Sequence, residues 1–235
     1  MQRVVFNLLY SLMFLTASQG AASVLSDYQQ KIRVAGDDML QNLEVSYVYG
    51  GSKIGDAGTC DSCNRCLEEK SPSPKMRFKE CPTCGGCSLD CSHFTQLVFA
   101  RAGLSFPYIT SAQMLDLSAD ALQKKYNLKP VATTPTSVIP GDMLVYRGHV
   151  VIVETVREPG IADIIHATGG KDIRLPGQGI QRERFAKIGT FRGDLLRVIR
   201  HIKLDELYHS DGVSTSQGSS TARFKLRPVE KRKTQ

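Results

Sequence analysis

The chain has 235 residues, 41% of them apolar and 23% charged, an ordinary composition for one folded domain with a useful core plus appendages. Its net charge of +7 is unevenly placed: Arg223, Lys225, Arg227, Lys231, Arg232 and Lys233 against Glu230 put +5 into residues 222–235, leaving about +2 elsewhere. The basic balance therefore belongs mostly to the tail, and a nucleic-acid partner is not expected.

Residues 1–22 read as an export signal. Arg3 supplies a weak positive start, Val4 to Leu15 is apolar apart from Asn7 and Ser11, and small residues from Ala17 to Ala22 offer cleavage sites. The apolar stretch is too short to span a membrane. The expected location is thus periplasmic or secreted, where thiols oxidise.

Asp27 to Leu43 places Ile32, Ala35, Met39, Leu40 and Leu43 on one face of a first helix. Tyr47-Val48-Tyr49-Gly50-Gly51 is a β-rich run closed by a glycine turn. Residues 52–88 are polar and cysteine-rich, with Ser71-Pro72-Ser73-Pro74 in the middle, and predict an irregular insert held by cross-links rather than by a core. Cys91 to Ala102 spaces Phe94, Leu97, Val98 and Ala102 as a second helix that ends on Gly103 and is capped by Asp90. Cys91 then lies in the first turn, where the helix dipole favours a thiolate. Residues 105–135 mix loops with a short helix around Ala119 to Tyr126. After the Pro140-Gly141-Asp142 turn, Met143 to Tyr146, His149 to Val156 and Asp163 to Thr168 predict successive antiparallel strands, and Leu195 to Ile202 a last one. The domain is expected over residues 23–205, with a basic disordered tail over 206–235 that is rich in Ser, Thr and Gly and then Lys and Arg.

Cys91 on a helix, then His149 and His166 on strands, is the chain order of a papain-like thiol nucleophile, its base and a residue that orients the base. A thiol with a pKa near about 8.5 must be deprotonated to attack, and an adjacent imidazole can take that proton. The imidazole acts best when a third polar group fixes its tautomer.

Taken together and in order, Tyr47-Val48-Tyr49-Gly50-Gly51, Asp90-Cys91-Ser92, Pro107 with Ser111 and Gln113, Pro140-Gly141-Asp142, Gly148-His149-Val150 and Ile165-His166-Ala167 resemble the NlpC family of bacterial cell-wall peptidases. The resemblance covers roughly residues 25–202, interrupted by the insert. It implies an α+β, papain-like fold in which helices, one bearing the nucleophile, pack on an antiparallel sheet. It also implies hydrolysis of peptidoglycan stem peptides between D-glutamate and a diamino acid, without a cofactor or catalytic metal, by a monomer. Catalytic Cys91, His149 and His166 follow from it, as do substrate-binding Tyr47 near the oxyanion and Asp90 and Ser92 beside the peptide's free amine. Two positions depart from the family pattern: His93 stands where glycine is usual, and Tyr108 follows Pro107 where arginine is usual.

Cys60, Cys63, Cys66 and Cys81, Cys84, Cys87 form two C-x-x-C-x-x-C runs. In an exported chain they are expected to form disulfides, although the spacing cannot choose among the pairings; a zinc or iron–sulfur site and unpaired or redox-active thiols are the alternatives. Cys87 lies close enough to Cys91 for a disulfide that would block the nucleophile. The competing functional readings are an interbacterial amidase effector, a wall-binding module without catalysis and a metal–thiolate protein. The basic tail could in addition touch anionic wall polymers or a membrane surface.

Overall fold

Ser26 opens the first helix reciprocally: its hydroxyl accepts the Gln29 N–H at 3.3 Å, and the Gln29 side chain accepts the Ser26 N–H at 2.9 Å. The computed structural model describes residues 26–69, 78, 80–169 and 179–204; the expected export signal and basic tail lie outside them. Helix α1 (Asp27–Asn42) buries Ile32, Ala35 and Met39. Next come two short strands, β1 (Ser46–Tyr47) and β2 (Ser52–Lys53), and helix α2 (Ala57–Glu69). A 3-10 turn (Pro82–Gly85) then leads to β3 (Ser88–Leu89) and helix α3 (Cys91–Arg101). Helices α4 (Ser111–Asp116) and α5 (Ala119–Tyr126) precede strands β4 (Leu128–Val131), β5 (Met143–Tyr146), β6 (His149–Glu158), β7 (Ile161–Ala167), β8 (Ile180–Lys187) and β9 (Arg197–His201).

The six later strands form one antiparallel sheet in the order β4-β9-β5-β6-β7-β8, so the chain is an α+β protein. Its central strands are apolar on both faces. Met143, Val145, Val150, Ile152 and Ile165 join Ile32, Met39, Phe94 and Val98 of α1 and α3 in the main core. The alternate residues Leu144, Tyr146, Val151, Val153 and Ile164 form a second cluster with Val138, Ile188 and the half-buried Phe191 and Leu195. Burial on both faces explains the continuous Val/Ile runs in the sequence.

Two strands of this sheet escape the sequence reading, as do the short β2 and β3 that flank the insert. β4 contains Pro130 and is an edge strand paired only with β9; β8 is the opposite edge, and Ile180–Lys187 carries four charged residues. Edges tolerate proline and charge, which erases the apolar alternation by which a strand is recognised. Helix α4 stands where the sequence predicts loop, and at six residues it is too short to show a helical period. β6 runs two residues beyond Val156, and β9 starts at Arg197 rather than Leu195.

The cysteine-rich insert corrects the expectation of an irregular segment. The bridges are Cys60–Cys87, Cys63–Cys84 and Cys66–Cys81, a nested ladder joining α2 to the 3-10 turn and its flanks. Val48, Cys63, Leu67, Cys81 and Cys84 make a small core of their own, with Cys66 and Phe78 packed against it. The ladder commits all six sulfurs to one another and leaves Cys91 as the free cysteine. Three disulfides suit an oxidising compartment. Among the described residues, no helix is long and apolar enough to cross a membrane.

Candidate active site

The insert delivers Cys91 to its place. β3 pairs with β1 in parallel (Tyr47 opposite Leu89) and with β2 in antiparallel (Ser52 opposite Leu89), forming a three-stranded sheet against the start of α3. The turn between β1 and β2 approaches so closely that a Cβ on Gly51 would stand 2.7 Å from the backbone carbon of Ser88. Only glycine fits there. The Gly51 carbonyl accepts the Asp90 N–H at 2.9 Å, and the Gly50 N–H donates to Asp90 Oδ2 at 3.2 Å.

Asp90 caps α3 as the sequence predicts: its Oδ1 accepts the His93 N–H at 2.8 Å. The same oxygen accepts the Ser92 hydroxyl at 2.9 Å and meets His93 Nδ1 at 3.0 Å. Ser92 Oγ also lies 3.1 Å from the Tyr108 hydroxyl, and the His93 ring stacks on Tyr108 with centroids 3.8 Å apart. The two departures from the family pattern are thus one contact.

Cys91 is the first residue of α3 and is only 5% exposed. The Val150 N–H is directed at its sulfur, which sets the thiol against the start of β6. There the two-residue Arg147–Gly148 turn, with Gly148 at φ +73°, joins β5 to β6 and pairs Tyr146 with His149. His166 stands near the end of the neighbouring strand β7. His149 Nε2 and His166 Nδ1 are 2.7 Å apart, and the rings meet edge to face with centroids 5.0 Å apart. Phe191 meets the His166 ring edge to face with centroids 5.4 Å apart, and among the described residues the buried His166 Nε2 has no hydrogen-bond partner.

Sequence reasoning missed Phe191 and Arg192. Arg192 Nη2 donates to Thr168 Oγ1 at 2.5 Å, which holds the exposed guanidinium beside the histidine pair. Strand alternation placed Thr168 on the same side as His166, a usable signal. Nothing local marked the Phe191–Arg192 loop, which reaches the site only through the sheet.

Burial dominates the electrostatics. It pushes the Cys91 thiol up to about 11, opposed by the Val150 and Ser92 N–H groups and reinforced by Asp90. Burial likewise holds His149 well below the usual histidine range, helped by His166 and Arg192, and brings His166 down to about 3, helped by Arg192. The expected thiolate is therefore not the resting form: thiol and imidazoles are neutral at pH 7. Half-buried Tyr47 is raised by burial, then by Cys91 and Asp90, and keeps its phenolic proton.

This arrangement has one productive protonation pattern. If His149 carries its proton on Nε2 and donates to His166 Nδ1, then Nδ1 of His149 is left as a base; the reverse pattern leaves it none. The structure brings Tyr47, Asp90, Cys91, Ser92, His149 and His166 into one neighbourhood. Among the described residues, no cluster of His, Cys, Asp and Glu is arranged to hold a metal ion. No protein-family model and no curated protein sequence matches the chain.

Proposed function

We propose that the chain is an exported peptidoglycan hydrolase of the papain-like NlpC type, cleaving the stem-peptide amide between a D-glutamyl residue and a diamino acid. The observation that carries this reading is the buried free Cys91 at the start of α3, set against Val150 of the strand on which His149 meets His166. The three disulfides support an oxidising, extracytoplasmic setting, and they favour the hydrolase over a metal–thiolate protein, which would use those sulfurs as ligands.

In the proposed reaction, His149 Nδ1 takes the Cys91 proton as sulfur bonds to the scissile carbonyl carbon. The carbonyl π electrons move onto oxygen, where the Tyr47 hydroxyl donates a hydrogen bond. The imidazolium keeps its Nε2–H bond to His166, which holds the ring in place. Collapse breaks the C–N bond, and His149 returns the proton to the leaving amine. Water, deprotonated by His149, then hydrolyses the thioester and restores the thiol. Asp90 and Ser92 line the subsite for the peptide's free amine.

The test is mass spectrometry of purified muropeptides incubated with the protein. Cys91→Ala and His149→Ala should each reduce cleavage roughly a thousandfold or more, and His166→Ala by less, because it orients rather than reacts. Cleavage retained by Cys91→Ala would overturn the reading.

A further inference from the structure

The catalytic steps above leave one cation at the site without a task. Arg192 is exposed, makes no ion pair among the described residues and is fixed on two sides. Its Nη2 donates to Thr168, two residues beyond His166 and just past the end of β7, and its neighbour Phe191 packs edge-on against both His166 (5.4 Å) and Tyr146 (6.1 Å). An exposed arginine on an open surface would lack both anchors. Here the guanidinium is held at the His166 end of the site, while the buried carboxylate of Asp90 adjoins Cys91 at the other.

We infer that Arg192 is a specificity-determining residue that pairs with the free carboxylate of the substrate's glutamyl residue. The inference rests on the stem-peptide reading and names the group by which that site chooses its substrate. A glutamyl residue has two carboxyl groups, and whichever one the scissile amide uses, the other remains as a carboxylate or as an amide. It lies within a few bonds of the carbonyl that Cys91 attacks. A guanidinium offers two parallel N–H donors that match a carboxylate and not a neutral carboxamide, so charge and geometry discriminate together.

The electrostatics of the site point the same way. An unpaired cation here disfavours the imidazolium that the reaction must form, and Arg192 lowers the basicity of both histidines. A substrate carboxylate would neutralise that charge on arrival, so the correct substrate strengthens its own general base. An amidated substrate would leave the penalty in place. Discrimination should therefore show in kcat as well as in KM.

The experiment uses the mature chain with its disulfides intact and two otherwise identical stem peptides, one with the free glutamyl carboxylate and one with the carboxamide. Wild type should favour the carboxylate peptide by about tenfold or more in kcat/KM. Arg192→Gln should bring the ratio to within about twofold of unity, and Arg192→Lys, which keeps charge but loses the fork, should restore part of it. Because Arg192 is exposed, far-ultraviolet circular dichroism should show both variants folded. Wild type that cleaves both peptides equally, or Arg192→Gln that keeps the full preference, would overturn the role of Arg192 while sparing the hydrolase reading. Failure of wild type to cleave either peptide would overturn both.

Discussion

At Cys91 two effects of opposite sign meet, and their sizes decide the resting state. A helix start favours an anion by about 0.3–1 kcal/mol. Raising a thiol from 9.0 to about 11 opposes it by about 3 kcal/mol, and burial is the first cause of that rise. The thiol should therefore stay protonated until substrate replaces the environment that disfavours its charge. The check is the rate of Cys91 alkylation by iodoacetamide. It should climb about tenfold per pH unit between pH 7 and 10, because the thiolate fraction does so below a pKa of about 11. A rate already level by pH 6 would mean a preformed thiolate–imidazolium pair. Beside Cys91, His93 and Tyr108 show why a motif departure can be legible singly and misleading: each looks like a loss, and their stacked contact is visible only in three dimensions.

The helices and strands divide by how they announce themselves. α1, α3 and α5 carry apolar spacing and polar caps, and β5, β6 and β7 carry dense Val/Ile runs, so all six were legible in the sequence. α2 was not, because its inward face is built from cysteine. Cys60, Cys63, Asn64 and Leu67 are buried at the first, fourth, fifth and eighth positions of one stripe. Counting cysteine as a small hydrophobe would have revealed the helix. The pairing was illegible for a different reason: it depends on α2 lying against the 3-10 turn, a tertiary fact. The candidate triad was legible because chain order carried it, whereas Arg192 arrives from a loop with no pattern of its own. The ladder makes a countable prediction. In denaturant without reductant, an alkylating reagent should label one cysteine, Cys91, and with reductant all seven. Reduction should also lower stability by several kcal/mol, since each native bridge in a small domain contributes about 2–4. More than one label before reduction would break the ladder.

Over the molecule as a whole, buried neutral histidines tie stability to pH. His149, His166 and His201 all have their basicity lowered first by burial, His166 to about 3 and His201 to about 4. An unfolded chain protonates its histidines near pH 6.5, while the folded one resists until far lower pH. The unfolded state therefore binds more protons in that window, and stability falls as pH falls. His166 alone, held at about 3, should remove about 1.6 kcal/mol between pH 6.5 and 5, and His149 adds to the loss in the same direction. Urea midpoints across that range would show it, and His166→Asn should flatten the slope; a pH-independent midpoint would contradict buried neutral rings. The cysteine-rich insert has another consequence, this one for register. Its outgoing and returning legs already lie side by side, Lys53 opposite Ser88 and Ser52 opposite Leu89, so residues 54–87 hang from the mouth of a hairpin. A two-residue turn could bridge that mouth without moving Asp90 or Cys91, which continue from the returning leg. The register that presents Cys91 is thus set by β2 and β3 at the mouth, and changes within residues 54–87 that keep the Cys60–Cys87 bridge leave the chemistry beside it in place.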